Sequence, residues 1–160
     1  MIFPKPLRLE PGPGRVTLPP SFRLAGASVP AWLRRRLDRA CRAAGAGLSR
    51  HGERRIELRR TEGVPAEFAD PELRAEAYTL TLAADGAARI ESPGPAGFQH
   101  GLITLALLLE AAAAGADLTP LAIVDGPVFR VRGLQVDMAR EFFPPLSHLK
   151  RLVDRLVDLK

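Results

Sequence analysis

A chain of 160 residues can bury one ordinary hydrophobic core, but a complete (β/α)8 barrel needs roughly 200 residues or more. Its composition, 46% hydrophobic and 26% charged, is that of a globular protein and excludes compositional disorder. The net charge of +5 would suit a nucleic-acid binder, yet the arginines form scattered short clusters without interleaved aromatic residues. We therefore expect a solvated basic surface and no nucleic-acid partner.

The first third of the chain predicts short strands and one amphipathic helix. Residues 1–14 are rich in Pro and Gly and predict an irregular arm, followed by short strands at 15–18 and 22–24. Pro30 suits the first turn of a helix. The apolar residues of that helix share one face: Leu33, Leu37, Cys41, Ala44 and Leu48. Cys41 is the sole cysteine, which excludes an intramolecular disulfide and a thiolate zinc site and favours a buried small side chain.

The middle of the chain predicts three strands and a second helix. Strands are expected at 54–60, 76–82 and 87–92, with a hairpin turn at Asp85-Gly86 between the last two. A helix over 96–114 is apolar around most of its circumference, which indicates burial on two sides, and Gly115 suits its C-terminal cap. After a further short strand at 121–124, the pattern predicts an α+β fold: a mainly antiparallel sheet with two helices on one face.

The most informative stretch is FRVRGLQVDMAREFF, residues 129–143. Alternation predicts a strand over 133–138, Arg140 follows its end, and a helix is expected over 147–160. In (β/α) barrels the catalytic and binding residues lie at the carboxyl ends of the strands. A guanidinium at that position offers a rigid fork of hydrogen-bond donors. The alternative is that Arg140 simply pairs with a nearby carboxylate, Asp137 or Glu141.

This stretch resembles the first barrel strand of family-20 glycoside hydrolases, the β-N-acetylhexosaminidases, whose pattern is roughly R-G-x-x-x-D-x-x-R-H-F-F. The matching residues are Arg132, Gly133, Asp137, Arg140, Phe142 and Phe143. Upstream, residues 77–80 and 97–105 resemble the family's non-catalytic N-terminal domain, and Asp125-Gly126-Pro127 resembles its D-x-P link. The resemblance implies a non-catalytic α+β domain over residues 1–125. It also implies that residues 126–160 are the first β/α unit of a truncated (β/α)8 TIM barrel.

The resemblance also implies a chemistry: retaining hydrolysis of a terminal N-acetylhexosamine, in which the substrate's own acetamido oxygen attacks the anomeric carbon. The family's catalytic Asp-Glu pair lies on a later strand, and no adjacent Asp-Glu occurs in this sequence. No catalytic residue is therefore assigned, and the chain is expected to be inactive alone. By the same resemblance Arg140 would bind sugar hydroxyls, Asp137 would support Arg140, and Arg132 would be structural. Glu141 replaces the family's His and could compete for Arg140.

The expected partners are glycans that contain N-acetylglucosamine or N-acetylgalactosamine. No metal or cofactor is expected, since the three histidines lack ligand spacing. No signal peptide or membrane span is evident, which predicts a cytoplasmic chain as written. An incomplete barrel would expose an apolar helix face and favour self-association. The residues of that face are Leu149, Leu152, Val153, Leu156 and Leu159. A stand-alone interaction module and a basic nucleic-acid binder remain as alternatives.

Overall fold

The computed structural model describes residues 5–63, 68, 70–137 and 143–159. Within these ranges the strands are β1 (Arg8–Pro11), β2 (Ser21–Gly26), β3 (Gly47–Leu48), β4 (Arg54–Arg60), β5 (Tyr78–Leu82), β6 (Ala88–Ser92) and β7 (Leu121–Asp125). The helices are α1 (Ala31–Ala43), α2 (Pro71–Glu76), α3 (Pro95–Ala113) and α4 (Leu146–Asp158).

The strands form one mixed sheet in the order β1-β7-β5-β6-β4-β2-β3. The prediction of a mainly antiparallel sheet is wrong, because β2 pairs in parallel with β3 and β4, and β4 pairs in parallel with β6. The antiparallel pairs are β1 with β7, β5 with β6, and β5 with β7. A helix between two neighbouring strands gives a parallel crossover, and α1 lies between β2 and both of its partners. The hairpin turn at Asp85-Gly86 makes β5 and β6 antiparallel, but it does not determine how the other strands pair.

One face of the sheet carries the hydrophobic core, as the period-two alternation requires. The buried side chains of the central strands are Ile56, Leu58, Tyr78, Leu80, Leu82, Ala88 and Ile90, and they join those of α1 and α3 in one cluster. The opposite face is polar: Arg89 Nε lies 2.9 Å from Glu57 Oε2 across neighbouring strands. The two predicted helices therefore lie over the same face of the sheet.

Helix α1 confirms the predicted amphipathic pattern. Pro30 is its N-cap residue, and Leu33, Leu37 and Cys41 are fully buried. The helix ends at Ala43, so Leu48 lies in strand β3 and not on the helix face. Burial, followed by the nearby Asp38 carboxylate, raises the pKa of the Cys41 thiol to about 12. Cys41 is thus the small buried hydrophobe that the sequence predicts.

Helix α3 packs closely against the sheet because two of its glycines face it. A Cβ on Gly97 would lie 2.3 Å from the Ala77 carbonyl oxygen, and one on Gly101 would lie 2.5 Å from Ile90 Cγ2. The helix is 19 residues long with a mean hydropathy of 1.3, enough by length and composition to cross a membrane. However, 56% of this stretch is buried in the fold, as in the core helices of many water-soluble proteins. Its apolar circumference is explained by contacts with α1 and the sheet.

The two ends of the chain differ from the sequence expectations. Residues 8–11 were expected within an irregular arm but form β1, an edge strand paired with β7, whereas residues 15–18 form no strand. All four residues of β1 are exposed, so no burial alternation marks it. The barrel strand expected at 133–138 is likewise absent over residues 133–137, and Met138 lies outside the described residues. Helix α4 is present, from Leu146 to Asp158.

Candidate functional site

The sequence-predicted site residues are only partly visible in the structure. Arg140, the expected sugar contact, and Glu141, its expected competitor, lie outside the described residues. Asp137 is exposed at the end of residues 128–137, which we call the exit segment because it leaves the last strand of the sheet. Arg132 lies in the middle of that segment. Because Arg140 lies outside the described residues, a shared site of Arg140, Asp137 and Arg132 remains a prediction.

Arg132 contacts the body of the domain directly. Its Nη2 donates to Glu76 Oε2 over 2.6 Å, and its Nη1 donates to the Phe129 carbonyl oxygen over 2.5 Å. His100 Nε2 lies 3.2 Å from the same Glu76 oxygen. Burial raises the pKa of Glu76, but hydrogen bonds from His100 and Arg132 outweigh it, so the net shift is downward. Glu76 is therefore an ionised carboxylate whose Oε2 atom is shared by Arg132 and His100.

A second arginine of the exit segment binds the same helix. Arg130 Nε lies 2.6 Å from Asp70 Oδ2, and its Nη1 lies 3.2 Å from Glu72 Oε2. Asp70 is the N-cap of α2 and accepts from the Glu72 amide. The hydrogen bond from Arg130 holds the pKa of Asp70 below its ordinary value, and Asp70 raises that of Arg130. Helix α2 thus presents carboxylates at both ends to the exit segment.

A buried polar cluster lies where β7 ends and the exit segment begins. The Tyr78 hydroxyl contacts Thr104 Oγ1 at 2.5 Å and donates to Asp125 Oδ2 over 3.1 Å. The other Asp125 oxygen accepts from the Leu7 amide at 3.2 Å. Burial, followed by the Asp125 charge, raises the pKa of Tyr78 well above its ordinary value. Asp125, the acid of the D-x-P link, therefore ties β7 to Tyr78 of β5, which in turn contacts Thr104 of α3, and to Leu7 just before β1.

The glycine of that link is also sterically required. A Cβ on Gly126 would lie 2.8 Å from Phe68 Cε1 and 3.0 Å from the Cα of Ala77. Any larger residue would push the chain away from the start of β5. The link therefore fixes the path by which the chain leaves the sheet.

The described residues hold neither a metal-ligand cluster nor, in the cavity between α1 and α3, an acidic group. No group of three His, Cys, Asp or Glu side chains within them could hold a metal ion. A cavity of about 290 Å³ between the N-terminal ends of α1 and α3 is lined by Ser28, Val29, Pro30, Leu33, Pro95, Phe98, Gln99 and Leu102. That lining contains no carboxylate that could act as a general acid.

Sequence reasoning missed most of this cluster. The sequence pattern places Glu76 at the start of a strand and His100 in a stretch that resembles the family's N-terminal domain, and it does not single out Arg130. Glu76 and Arg132 are 56 residues apart, and Arg130 and Asp70 are 60 apart, so no local spacing connects them. The one available signal was the i, i+2 repeat of Arg130 and Arg132.

The fold and site define an α+β domain in which buried polar contacts hold the end of β7 and surface ion pairs hold the exit segment. The chain belongs to glycosyl hydrolase family 20: the family model for "Glycosyl hydrolase family 20, domain 2" matches residues 1–126. This bears out the resemblance on which the sequence interpretation depends.

Individual relatives agree with the family. The β-hexosaminidase of Vibrio furnissii is 35% identical over 72 residues, which are 45% of this chain and 12% of that protein. The β-N-acetylhexosaminidase of Streptomyces coelicolor A3(2) is 27% identical, with a TM-score of 0.67, over 99% of this chain and 33% of its own.

A third relative shows likeness of fold alone. An inactive mutant of the exo-β-N-acetylglucosaminidase of Vibrio harveyi has a TM-score of 0.69 at 22% identity, covering 99% of this chain and 24% of its own. The chain therefore spans a third or less of the length of each of these relatives.

Proposed function

We propose that this chain is the N-terminal portion of a β-N-acetylhexosaminidase that removes terminal N-acetylhexosamine from oligosaccharides. The proposal rests on the order of two features along the chain: the family domain comes first and the barrel motif follows it. A domain matched by the family model over residues 1–126 is followed at once by the motif residues Arg132, Asp137 and Arg140. The relatives' names, β-hexosaminidase and β-N-acetylhexosaminidase, support the same activity.

The proposed mechanism is retaining and substrate-assisted, in which the 2-acetamido oxygen of the sugar acts as the nucleophile. Such a reaction needs a general acid and a carboxylate that orients the acetamido group. The 160-residue sequence has no adjacent Asp-Glu pair to supply them. We therefore propose that the isolated chain is inactive and that the pair follows later in a longer polypeptide.

In this proposal the domain over residues 1–125 is a non-catalytic support and residues 126–160 begin the catalytic barrel. Arg140 binds two neighbouring sugar hydroxyls with its guanidinium fork, and Asp137 orients Arg140. Glu141 competes with the sugar for Arg140 and thereby weakens binding. The substrates are glycans ending in N-acetylglucosamine or N-acetylgalactosamine.

A second candidate function, a protein-interaction module without catalysis, is favoured by exposed apolar side chains. The exposed fractions of Leu146 and Val153 in helix α4 and of Leu159 at its C-cap are 65%, 58% and 45%, and no described residue of α4 is buried. Single-chain proteins seldom leave such a face uncovered. Under the first proposal the rest of a barrel covers it, and under the second a partner does.

The test compares the 160-residue chain with the product of its extended reading frame. We expect the extended product to contain an Asp-Glu pair and to release the aryl group from an aryl N-acetyl-β-glucosaminide, and the shorter chain to release none. An extended product that is folded but lacks the pair, or that leaves this substrate intact, would refute the enzyme assignment and leave the interaction module.

A further inference from the structure

A groove of about 520 Å³ lies between helices α1 and α4. Each helix lines it with residues at the spacing i, i+3, i+4 and i+7, which places them on one face of that helix. The lining residues of α1 are Trp32, Arg35, Arg36 and Arg39, and the charged lining residues of α4 are Arg151, Asp154, Arg155 and Asp158. Two polar helix faces therefore oppose each other across a space within the usual size of ligand sites, about 300–1,000 Å³.

Arg36 holds the two sides of the groove together. Its Nη1 lies 2.7 Å from Glu110 Oε1 of α3, and its Nη2 lies 2.8 Å from Asp158 Oδ1 of α4. Its Nε donates to the same Asp158 oxygen at 3.2 Å, and its Nη2 donates to Glu110 Oε2 at 3.3 Å. These contacts use most of the five N–H donors of a guanidinium. Arg36 thus gives the groove a fixed width and has little capacity left for a ligand.

Four other arginines line the groove without a carboxylate partner. Arg35 and Arg39 of α1 and Arg151 and Arg155 of α4 are exposed, and none of them forms an ion pair with another described residue. Among the described lining residues, Asp154 is the one carboxylate outside an ion pair. Five arginines against three carboxylates leave the lining with a charge of +2. Like charges at close range repel, and an anion between them would remove that repulsion.

Trp32 adds an apolar surface to this basic lining. It lies in the first turn of α1 and is 41% exposed. Seven residues separate it from Arg39, a rise of about 10 Å along the helix. Trp and Arg are the residue types most enriched in binding hot spots. The flat face of an indole suits the C–H face of a sugar ring, and guanidinium forks suit carboxylates.

Helix α4 turns its polar face toward the groove and its apolar face away from it. At 3.6 residues per turn, Leu149, Val153 and Leu156 lie on the side of the helix opposite Arg151 and Asp158. Val153 and Leu156 are 58% and 36% exposed. A barrel or a partner that covers this apolar face lies on the far side of α4 and does not need to close the groove.

We propose that this groove binds an acidic oligosaccharide. Sugar carboxylates contact the unpaired arginines, a sugar ring stacks on Trp32, and a sugar hydroxyl donates to Asp154. A nucleic-acid strand fits less well, because its closely spaced phosphates only accept hydrogen bonds and are repelled by Asp154. The inference goes beyond the proposed function, since the groove contains no group assigned to catalysis. Together with that function, it describes a longer polypeptide that holds an acidic glycan while removing its terminal N-acetylhexosamine.

The test uses the 160-residue chain, whose sole tryptophan, Trp32, reports from the groove itself. The probe is a tetrasaccharide of alternating glucuronate and N-acetylglucosamine, titrated at about 0.15 M salt. We expect a saturable change in Trp32 fluorescence. The N-acetylglucosamine tetramer, which has no carboxylate, should bind about tenfold more weakly or less tightly still. No response to the acidic tetrasaccharide, or equal affinity for the two sugars, would overturn the proposal.

Two variants remove one unpaired charge from opposite sides of the groove, Arg39→Gln from α1 and Arg155→Gln from α4. Each should weaken binding of the acidic tetrasaccharide about tenfold, the usual loss for one charge-assisted hydrogen bond. Arg34→Gln is the matched control, because Arg34 is an exposed arginine of α1 that does not line the groove. Unchanged affinity in both groove variants, or an equal loss in Arg34→Gln, would overturn the proposal.

The outcome is separable from folding and from the proposed function. Neither groove variant breaks an ion pair, so the Tm of each should equal that of Arg34→Gln. Binding is measured without turnover, so an inactive extended enzyme would refute the proposed function and leave the groove assignment intact. A single-stranded oligonucleotide that binds more tightly than the acidic tetrasaccharide would overturn the carbohydrate assignment.

Discussion

At the scale of single residues, the domain depends on polar groups placed where the chain turns out of the sheet. Tyr78, Thr104 and Asp125 satisfy one another inside the core, and Asp125 also accepts from the Leu7 amide. A buried polar group that loses its partner costs more than the hydrogen bond contributed. These residues should therefore be sensitive to very small chemical changes.

Tyr78→Phe should lower the free energy of unfolding by about 1–3 kcal/mol, because it removes the hydroxyl that bonds Thr104 and Asp125. Urea denaturation followed by circular dichroism measures the loss. Thr81→Val, on the exposed face of the same strand, is the control and should change stability by less than about 0.5 kcal/mol. Equal stabilities of Tyr78→Phe and the parent chain would show that the cluster is not stabilising.

The thiol of Cys41 should resist alkylation in the folded chain. With a pKa of about 12, the thiolate fraction at pH 8 is about one in ten thousand, and the side chain is fully buried. Because burial raises this pKa, reactivity should rise only as the pH approaches 12 or as the chain unfolds. Labelling with iodoacetamide at pH 8, with and without urea, measures this, and rapid labelling of the folded chain would contradict the burial of Cys41.

At the scale of elements, the sequence predicts the helices and strands whose apolar residues repeat with the period of that element. Helix α1 and strand β4 follow from the repeats of Leu33 and Leu37 and of Ile56 and Leu58, because one face of each element is buried. Strand β1 could not be predicted, since its four residues are all exposed and it exists only through pairing with β7. The ion pairs of the exit segment could not be predicted either, because residues such as Glu76 and Arg132 are distant in sequence and meet only in the folded chain.

Helix α3 provides a test of close packing between elements. A Gly-to-Ala change inside a helix usually stabilises it by roughly 0.5–1 kcal/mol. In Gly97→Ala the new methyl group would lie 2.1 Å from Ser92 Oγ and 2.3 Å from the Ala77 oxygen, so we expect a loss of about 1–3 kcal/mol or more. Gly63→Ala is the control, because the nearest atom to its Cβ is a Thr61 hydroxyl at 3.7 Å. A Gly97→Ala chain as stable as its parent would refute the observed helix–sheet distance.

Helix α4 contacts the domain through Val157, which packs against the core, and through an ion pair with Arg36 of α1. Arg36 Nη1 lies 2.7 Å from Glu110 Oε1 of α3, and its Nη2 lies 2.8 Å from Asp158 Oδ1 of α4. In Arg36→Lys a single ammonium cannot reproduce this forked contact, so we expect α4 amides to exchange about tenfold faster. Hydrogen–deuterium exchange measures this, with Arg42→Lys, an exposed pair with Asp38 on α1, as the control. Unchanged exchange in α4 would show that other contacts hold the helix.

At the scale of the whole molecule, the chain is a well-packed family-20 domain followed by a part with little burial of its own. The sheet, α1 and α3 share one core, whereas α4 and the exit segment expose most of their apolar side chains. Of the α4 residues expected to be exposed, Val153, Leu156 and Leu159 are, while Leu149 and Leu152 are half-buried. Such a face needs a covering surface, which under our proposal is the remainder of a barrel.

Under our proposal, a longer polypeptide containing this chain cleaves an N-acetylhexosamine with the substrate's acetamido oxygen as the nucleophile. The most direct measurement compares the extended enzyme's turnover of an aryl N-acetyl-β-glucosaminide with its turnover of the matching aryl β-glucoside, which lacks the acetamido nucleophile. We expect rapid release of the aryl group from the N-acetyl-glucosaminide and none detectable from the glucoside. Comparable release from both substrates, or release from the glucoside alone, would contradict it.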